Sequence, residues 1–426
     1  MSHTGRARRA QELVAEADVR RERLRASLAS RRADLPLAFW RQAAHYTTPA
    51  GDAAMARKAV EGGSAPMVRL LDRFDVSAAR LAERLDVATS SVEQLLDHPV
   101  RAPLVMLDGE DAQALREDVL ETGPEIAATV FRNADWGSGT DRSLRFFRPP
   151  GLALGTTARD VHRLLWALTD GRGNDVRLPL DGIVMPKVEH PEEVDLLYHM
   201  LDRAEQELGL PVGRIRVAIL VESGWAVAQL AEIARRAVPR LTGLIFGIAD
   251  YAADLGLPAI ATDHPVAVWA RAQLVDVAGA VGVPAIDGMT LDYPVADPAL
   301  DADANRERFL TRVTLVHDDA LRACALGMSG KWVGHPAQLF ATMLAFGAAG
   351  DTEGLEREAA KLEAYRAAVE GEGRGATIIE GVMSDRATDR HARVVLRRAV
   401  ASGHFDATRA VSLGVISAAE RAELAG

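Results

Sequence analysis

Short apolar runs alternate with amphipathic segments along most of the chain after residue 103. Each run is long enough for a buried parallel strand, and the segment after it has helical periodicity. This alternation is typical of βαβ units packed around a parallel sheet. The candidate strands lie at residues 104–111, 143–149, 181–189, 216–223, 241–250, 283–289 and 329–336.

Seven such units predict an α/β fold, a (β/α)8 TIM barrel in which one strand remains to be located. The segment HYTTPAGDAAMARKAV, residues 45–60, is a weak candidate for that strand. We therefore expect an N-terminal helical extension over residues 1–100, which includes the first barrel strand if this candidate is correct. A catalytic barrel over residues 101–345 and a C-terminal helical lobe over residues 346–426 should follow.

The composition is that of an ordinary globular protein, with 48% hydrophobic and 26% charged residues among 426. A net charge of −10 argues against nucleic acid as a partner and favours a small-molecule substrate. Cys324 is the single cysteine, which excludes an intramolecular disulfide and fits a reducing cytoplasm. The sequence lacks a signal-peptide core and an apolar run of about 18 residues, which argues against secretion and membrane spanning.

Two acidic residues follow neighbouring apolar runs in the centre of the chain. Glu222 ends RVAILVE, and Asp250 ends LTGLIFGIAD. Because the carboxyl ends of barrel strands meet at one mouth, both carboxylates are expected in one pocket, as a metal pair or as caps of the following helices. Magnesium prefers such oxygen ligands. Gly224 and Gly247 lie close by, where a missing side chain lets backbone amides approach a substrate carboxylate.

Several segments of this chain resemble the citrate lyase beta subunit and malate synthase superfamily, which includes the HpcH/HpaI-type aldolases. The matching segments are DGIVMPKVEHPEEV, ILVESGWAVAQLAEIA, IFGIADYAADLG, LDGEDAQ, FFRPPGL and SGKWVGHPAQL. The resemblance covers residues 104–395 in approximate bounds. Several motifs in order are more specific than any one of them.

The resemblance implies that Glu222 and Asp250 bind magnesium. It also implies that Arg148 holds an oxo acid and the developing enolate oxygen, a role that suits a permanently charged, forked guanidinium. A structural ion pair is the alternative for Arg148. Asp385, in GVMSDRATDR, matches the catalytic base of the malate-synthase-like members, with a surface acid as the alternative. In trimeric relatives this lobe reaches a neighbouring subunit, so a homo-oligomer, a trimer or hexamer, is expected.

Three acids crowd the segment LDGEDAQ. Asp108, Glu110 and Asp111 cannot all ionise cheaply in one buried site, so some should face Arg148, Lys187 or metal-bound water. We expect Glu110 and Asp111 to face the pocket as catalytic residues and Asp108 to be structural, with Lys187 as an ion-pair partner. The segment lacks the histidine on which the aldolase branch relies, which favours thioester chemistry.

These residues favour a magnesium-dependent carbon–carbon lyase or synthase. It would interconvert a 3-hydroxyacyl thioester of coenzyme A with a 2-oxo acid and an acyl thioester, through a metal-stabilised enolate. Action as a malate-synthase-like acyltransferase is included. Two alternatives stay open: a metal-dependent aldolase that releases pyruvate or another oxo acid without CoA, and a non-catalytic barrel that binds an oxo acid or CoA.

Overall fold

Eight parallel strands form a closed barrel in chain order. The computed structural model describes residues 3–29, 31–112, 117–169, 178–348, 352–372, 376–379 and 382–425. The barrel strands are β1 Ala44–Pro49, β2 Leu104–Asp108, β3 Leu144–Arg148, β4 Gly182–Met185, β5 Arg216–Val221, β6 Leu241–Phe246, β7 Ala285–Asp287 and β8 Gly330–Val333. Strand β1 pairs with both β2 and β8, which closes the barrel.

This barrel confirms the predicted fold class and all seven predicted strands. The eighth strand is AHYTTP, which overlaps the weak candidate and lies inside the predicted N-terminal extension. The barrel therefore begins at residue 44, in the region where the prediction allowed for a first barrel strand. This strand contains several polar side chains, so it does not stand out as an apolar run.

Helices cover the outside of the barrel and build most of both terminal regions. They are α1 His3–Ala29, α2 Ala53–Gly62, α3 Pro66–Phe74, α4 Ala78–Leu85, α5 Thr89–Asp97, α6 Glu117–Asn133, α7 Thr157–Thr169, α8 Pro191–Glu207, α9 Gly224–Ala228, α10 Leu230–Ala237, α11 Ile248–Asp254, α12 Pro265–Val281, α13 Ala302–Leu326, α14 Pro336–Ala348, α15 Thr352–Glu372, α16 Arg386–Ala401, α17 Ala407–Ser412 and α18 Ala418–Ala425. Among the described residues, no helix has both the length and the apolar character that crossing a membrane requires.

Side chains inside the barrel alternate with side chains that face the helices. Along β5, the inward residues are Ala218 and Leu220, which pack in the interior cluster of the barrel. Because side chains alternate along a strand, Glu222 continues the inward series. The same rule directs Asp108, at the end of β2, and Arg148, at the end of β3, toward the barrel axis.

The C-terminal lobe combines helices with a short antiparallel hairpin. The hairpin consists of β9 (Thr377–Ile379) and β10 (Val382–Ser384), which the prediction of a helical lobe did not include. Leu37, just before the barrel, packs in the core of this lobe, and the guanidinium of Arg398 lies 5.4 Å from the ring centroid of Trp40. The lobe is therefore docked against the segment that leads into β1.

Candidate active site

A buried arginine–aspartate pair lies at one side of the barrel mouth. Arg148 donates from Nε to Asp108 Oδ1 at 2.6 Å and from Nη2 to Asp108 Oδ2 at 2.5 Å. Asp108 also accepts the backbone N–H groups of Glu110 and Ala112, each at 2.9 Å. Four donors therefore hold this carboxylate, which agrees with the structural role expected for Asp108.

The remaining edge of the Arg148 guanidinium faces two further acids. Its Nη1 lies 3.6 Å from Glu110 Oε2 and 3.4 Å from Asp111 Oδ2. Lys187 Nζ lies 3.2 Å from Glu110 Oε1 and 3.4 Å from Asp111 Oδ2. The fold thus brings Glu110 and Asp111 to the mouth beside Arg148, and the ion pair expected for Lys187 is present.

Glu110 is buried with one oxygen unpaired. Oε1 accepts the Gly151 N–H at 3.2 Å, whereas Oε2 is buried without a hydrogen-bond partner among the described residues. Burial raises the pKa of Glu110 against the opposing charge of Arg148, and the neighbouring Asp111 raises it further. An unpaired buried carboxylate oxygen can accept a hydrogen bond from a substrate or a water molecule.

Glu222 and Asp250 form the second half of the mouth. Glu222 directly follows β5, is 4% exposed, and accepts the Lys187 N–H at Oε1 over 2.8 Å. Asp250 lies in the first turn of α11, so its predicted position at a strand end is wrong. Strand β6 ends at Phe246, and the chain begins the helix directly after Gly247, which carries Asp250 back over the mouth.

The negative charge of this acid pair is only partly compensated. Burial, reinforced by the charge of Asp250, raises the pKa of Glu222 to about 8. The Lys187 N–H and the more distant cations of Lys187 and Arg148 oppose this shift without cancelling it. Because the two neighbouring acids repel each other and Glu222 is buried, a bound cation would stabilise them.

The donor set of this pair fits magnesium. Glu222 and Asp250 supply two oxygen ligands, and magnesium commonly takes one or two carboxylates together with water and substrate oxygens. A complete protein cage is not offered: among the described residues, no group of three or more His, Cys, Asp or Glu side chains could hold a metal ion. Structural zinc needs four such ligands, so the partial set favours magnesium.

Gly224 and Gly247 provide space at the mouth but not the predicted amide donors. The Gly224 N–H donates to Asp254 Oδ2 at 2.7 Å, and the Gly247 N–H donates to Val221 O at 2.9 Å. A Cβ atom at Gly247 would lie 2.6 Å from the Cβ of Glu222, which is too close for two side chains. The prediction that these two amides bind substrate is therefore corrected, because both are already engaged.

Asp385 lies outside the group of residues at the mouth. It is the N-cap of α16, where its Oδ1 accepts the backbone N–H groups of Ala387 at 2.7 Å and Thr388 at 3.3 Å. Within the described part of this chain, no hydrogen bond or ion pair connects Asp385 with Glu222 or Arg148. The hydrogen bonds described for the Asp385 side chain are those to the first turn of α16, so they do not link it to the acids and the arginine at the mouth.

Trp332 is a residue at the mouth that the sequence does not single out. It lies in β8 with its ring centroid 5.2 Å from Arg148 Cζ, and its Nε1 donates to Thr47 Oγ1 in β1. The indole thus supports the face of the guanidinium whose edge is held by Asp108. An inward-facing aromatic residue in an apolar strand gives no distinct sequence signal, although Trp332 does lie within the motif SGKWVGHPAQL.

Proteins with similar sequences include carbon–carbon lyases and a synthase. L-malyl-CoA/beta-methylmalyl-CoA lyase of Haloarcula marismortui is 31% identical over 210 residues, which are 49% of this chain and 58% of that enzyme. The enzyme of the same name from Rhodobacter capsulatus is 28% identical over 314 residues, which are 70% of this chain and 87% of that enzyme. Malate synthase of Oryza sativa subsp. japonica is 32% identical over 165 residues, which are 36% of this chain and 28% of that enzyme.

A solved structure has the same fold. The crystal structure of a citrate lyase from Burkholderia xenovorans LB400 matches with a TM-score of 0.57 and 23% identity, covering 91% of this chain and 98% of that chain. This match shows the fold. The sequence relatives define the class of protein: the chain belongs to the citrate lyase beta subunit and malate synthase superfamily of carbon–carbon lyases and synthases. The resemblance and the enzyme class predicted from the sequence are confirmed at this level.

The family within that superfamily is also established. A family model described as "Domain of unknown function (DUF6986)" matches residues 40–425, and the chain belongs to this family. The match begins just before β1 and includes the C-terminal lobe. Barrel and lobe therefore belong to one family unit, whereas α1 lies before it.

Proposed function

We propose that this chain is a magnesium-dependent lyase or synthase that interconverts a 3-hydroxyacyl-CoA thioester with a 2-oxo acid and an acyl-CoA. The observation that carries the proposal is the pairing at one mouth of a buried acid, Glu222, and a partly buried acid, Asp250, with a rigidly held arginine, Arg148. Making or breaking a carbon–carbon bond beside a carbonyl passes through an enolate. Its charge needs fixed positive partners away from bulk water.

Magnesium would be held by Glu222 and Asp250, and it would supply positive charge to the oxygens of the oxo acid and of the enolate. Glu222 is already oriented for this role, because the Lys187 N–H fixes its Oε1. Burial of the carboxylate strengthens the attraction for a cation, since few water molecules screen it. The donor set supports this proposed role of magnesium.

Arg148 would bind the oxo-acid carboxylate or stabilise the enolate oxygen. Its Nε and Nη2 are engaged by Asp108, so the guanidinium cannot rotate, and Nη1 is directed at the mouth. A donor that is fixed before the reaction needs no reorganisation as charge develops. Glu110 and Asp111 lie beside Nη1, where they would orient substrate or exchange protons.

Asp385 of one subunit would act as the general base in the active site of a neighbouring subunit. Its Oδ1 caps α16, and Oδ2 accepts none of the hydrogen bonds of the described residues, so Oδ2 is the oxygen that would take a proton from the acyl methyl group. The hairpin before it exposes Ile378 and Met383 at 74% and 65%, which suits burial against a second copy. We therefore include a homo-oligomer, a trimer or hexamer, in the proposal.

The activity can be tested with purified protein, magnesium, glyoxylate and either acetyl-CoA or propionyl-CoA, with formation of the 3-hydroxyacyl-CoA, followed by chromatography, as the readout. Release of free thiol as well would show that the thioester is also hydrolysed, as in a synthase. The reverse reaction can be followed with malyl-CoA or beta-methylmalyl-CoA, the substrates in the names of the two lyase relatives. We expect turnover that requires magnesium and is lost in Glu222→Gln. Metal binding without turnover of any of several oxo acids would contradict the proposal.

Sharing of the site can be tested by mixing two inactive variants. Arg148→Lys and Asp385→Asn should each lose most of their activity. If each site takes Arg148 from one subunit and Asp385 from the next, random co-assembly should restore about a quarter of the wild-type rate. No restoration in a mixed oligomer would place both residues on the same subunit. An Asp385→Asn variant with full activity would remove this base from the mechanism.

A further inference from the structure

Lys187 has a backbone conformation that its position in the chain does not explain. Its φ is +54°, and the other described non-glycine residues with positive φ are Asp75 and Asp86. Those two end α3 and α4, where a left-handed residue is the usual helix terminator. Lys187 follows β4 and ends no helix. Such a conformation is strained for a residue with a side chain, and residues of this kind cluster at functional sites.

The left-handed conformation lets Lys187 hold both halves of the mouth. Its N–H donates to Glu222 Oε1 at 2.8 Å, on the metal side. Its Nζ lies 3.2 Å from Glu110 Oε1 and 3.4 Å from Asp111 Oδ2, on the arginine side. The angle φ sets the dihedral angle between the N–H and Cα–Cβ bonds. These bonds are nearly eclipsed at common negative φ values and point apart at positive φ.

The side chain of Lys187 also has a defined path between these two contacts. A Cβ atom built on Gly151 would lie 3.4 Å from the Cβ of Lys187, so the stem passes close to this glycine. The Gly151 N–H itself donates to Glu110 Oε1, the oxygen that Lys187 Nζ also contacts. The backbone N–H of Lys187 therefore contacts Glu222 while its side chain passes Gly151 and reaches Glu110.

We propose that Lys187 is a positioning residue: its left-handed backbone aims the N–H that orients Glu222 toward the metal, while its ammonium orients Glu110 beside Arg148. This inference rests on the proposed function, because it needs a metal at Glu222. An ordinary ion-pair lysine would matter only through its side chain. A positioning residue of this kind affects metal binding through its backbone conformation as well. Substitutions that change the side chain with or without the backbone preference therefore distinguish the two roles.

Two substitutions separate backbone from side chain. Lys187→Asn removes the ammonium but tolerates the left-handed conformation, whereas Lys187→Val removes the ammonium and strongly disfavours that conformation. Asp86 supplies the matched control, because its φ is also +54° and it lies at the exposed end of α4. Asp86→Asn and Asp86→Val repeat the same change of backbone preference away from the mouth.

The measurement is binding of Mn²⁺, as a paramagnetic substitute for magnesium, to the full-length metal-free protein by electron paramagnetic resonance. A hydrogen bond to a charged group gives an expected weakening of about tenfold or more in Lys187→Val. Lys187→Asn should stay within about threefold of wild type, since its N–H still meets Glu222. Asp86→Val should lower the melting temperature and leave Mn²⁺ affinity unchanged. If Lys187→Val does not fold, Lys187→Thr, also β-branched but polar, replaces it.

The side-chain contact has its own readout. Lys187→Asn should lower kcat about tenfold with Mn²⁺ affinity near wild type, because Glu110 loses its fixed orientation. The double variant Lys187→Asn/Glu110→Gln should be no slower than Glu110→Gln alone, since the lysine acts through that acid. Fully additive losses in kcat would overturn the side-chain half of the inference.

Failure of the inference is distinguishable from failure of the proposed function. Wild-type protein that binds no Mn²⁺ would overturn both, because the metal site itself would be absent. Wild-type protein that binds Mn²⁺, together with a folded Lys187→Val variant of equal affinity, would overturn the role of the Lys187 backbone alone. Weakened Mn²⁺ binding in Lys187→Val but not in Asp86→Val is the result that supports it.

Discussion

Two groups of charged side chains lie on opposite sides of the barrel wall. On the outer side, Lys331 is fully buried, with its Nζ 2.9 Å from Asp287 Oδ2 and 2.7 Å from Asp319 Oδ2. Arg271 Nη2 donates to Asp287 Oδ2 at 2.7 Å, so two cations face two carboxylates. Burial alone would raise the pKa of Asp319, but Lys331 and two threonine hydroxyls hold it well below its usual value.

The group at the mouth is less completely balanced than this outer cluster. Glu222 has one backbone donor and a second acid as its neighbour, and its pKa is raised to about 8. In the outer cluster, by contrast, Lys331 Nζ lies against both Asp287 and Asp319, and the pKa of Asp319 is lowered. We therefore interpret the outer cluster, where each acid is in contact with Lys331, as structural. At the mouth, no ion pair of the described residues reaches Glu222, which suits the proposed binding of a metal there. The comparison separates structural from functional ion pairs.

The largest effect is expected from Lys331→Met, which removes the shared cation of the outer cluster. Asp287 and Asp319 would stay buried without it, which should lower the free energy of unfolding by about 3–5 kcal/mol in urea titrations. Lys58→Met, on the exposed face of α2, is the control and should change it by no more than about 0.5 kcal/mol. Equal stability of the two variants would contradict the claim that the outer cluster stabilises the fold.

The next largest effect is expected from Arg148→Lys. A lysine cannot hold Asp108 with two donors and also direct a third at the mouth, so kcat/KM should fall about 100- to 1000-fold. The matched variant in the outer cluster, Arg271→Lys, should lower stability while kcat/KM stays within about threefold of wild type. Similar losses of activity in both variants would show that the two clusters do not differ in function.

A smaller effect is expected from the pH dependence of Glu222. Because its pKa in the folded protein is raised from an ordinary 4.5 to about 8, it contributes stability below the ordinary value and loses that contribution as pH rises through 8. Relative to Glu222→Gln, the metal-free wild type should therefore lose about 2–4 kcal/mol of unfolding free energy between about pH 5 and pH 9. Saturating magnesium should reverse this trend, since the metal binds the ionised acid. A pH-independent difference would argue against the buried pair.

The smallest effect is expected from Trp332→Leu, which removes the ring beside Arg148. A cation–π contact of this kind is worth about 1 kcal/mol, so kcat/KM should fall about fivefold without loss of Mn²⁺ affinity. Trp166→Leu, on α7 with 54% exposure, is the control and should leave kcat/KM unchanged. An effect of Trp332→Leu on melting temperature alone would limit this residue to packing.

Seven strands could be predicted because buried parallel strands have continuous apolar sequences. Strand β1 was harder to predict, because it carries His45, Thr47 and Thr48, and such polar residues look like a loop. These polar side chains are paired with groups that the hydrophobic pattern of the sequence does not reveal. Thr47 Oγ1 accepts from Trp332 Nε1, and His45 Nε2 lies 2.9 Å from Gln42 Oε1.

The site was predictable in its residue types and less so in its geometry. Glu222 and Arg148 follow from strand ends and motifs, but the position of Asp250 in a helix depends on a turn at Gly247 that the apolar run masks. The conformation of Lys187 has no sequence signal, because positive φ is ordinarily marked by glycine or asparagine. In the proposed function, Asp385 serves the site of a neighbouring copy of the chain, and a local sequence pattern does not show how copies would assemble.

The central claim is that Glu222 and Asp250 together hold a divalent metal at the mouth. A Mn²⁺ titration of the wild type, Glu222→Gln, Asp250→Asn and Asp263→Asn tests it most directly, with Asp263 as an exposed acid outside the pair. We predict one bound Mn²⁺ in the wild type and in Asp263→Asn, and at least about a hundredfold weaker binding in the other two variants. Wild-type affinity in either Glu222→Gln or Asp250→Asn would contradict the account.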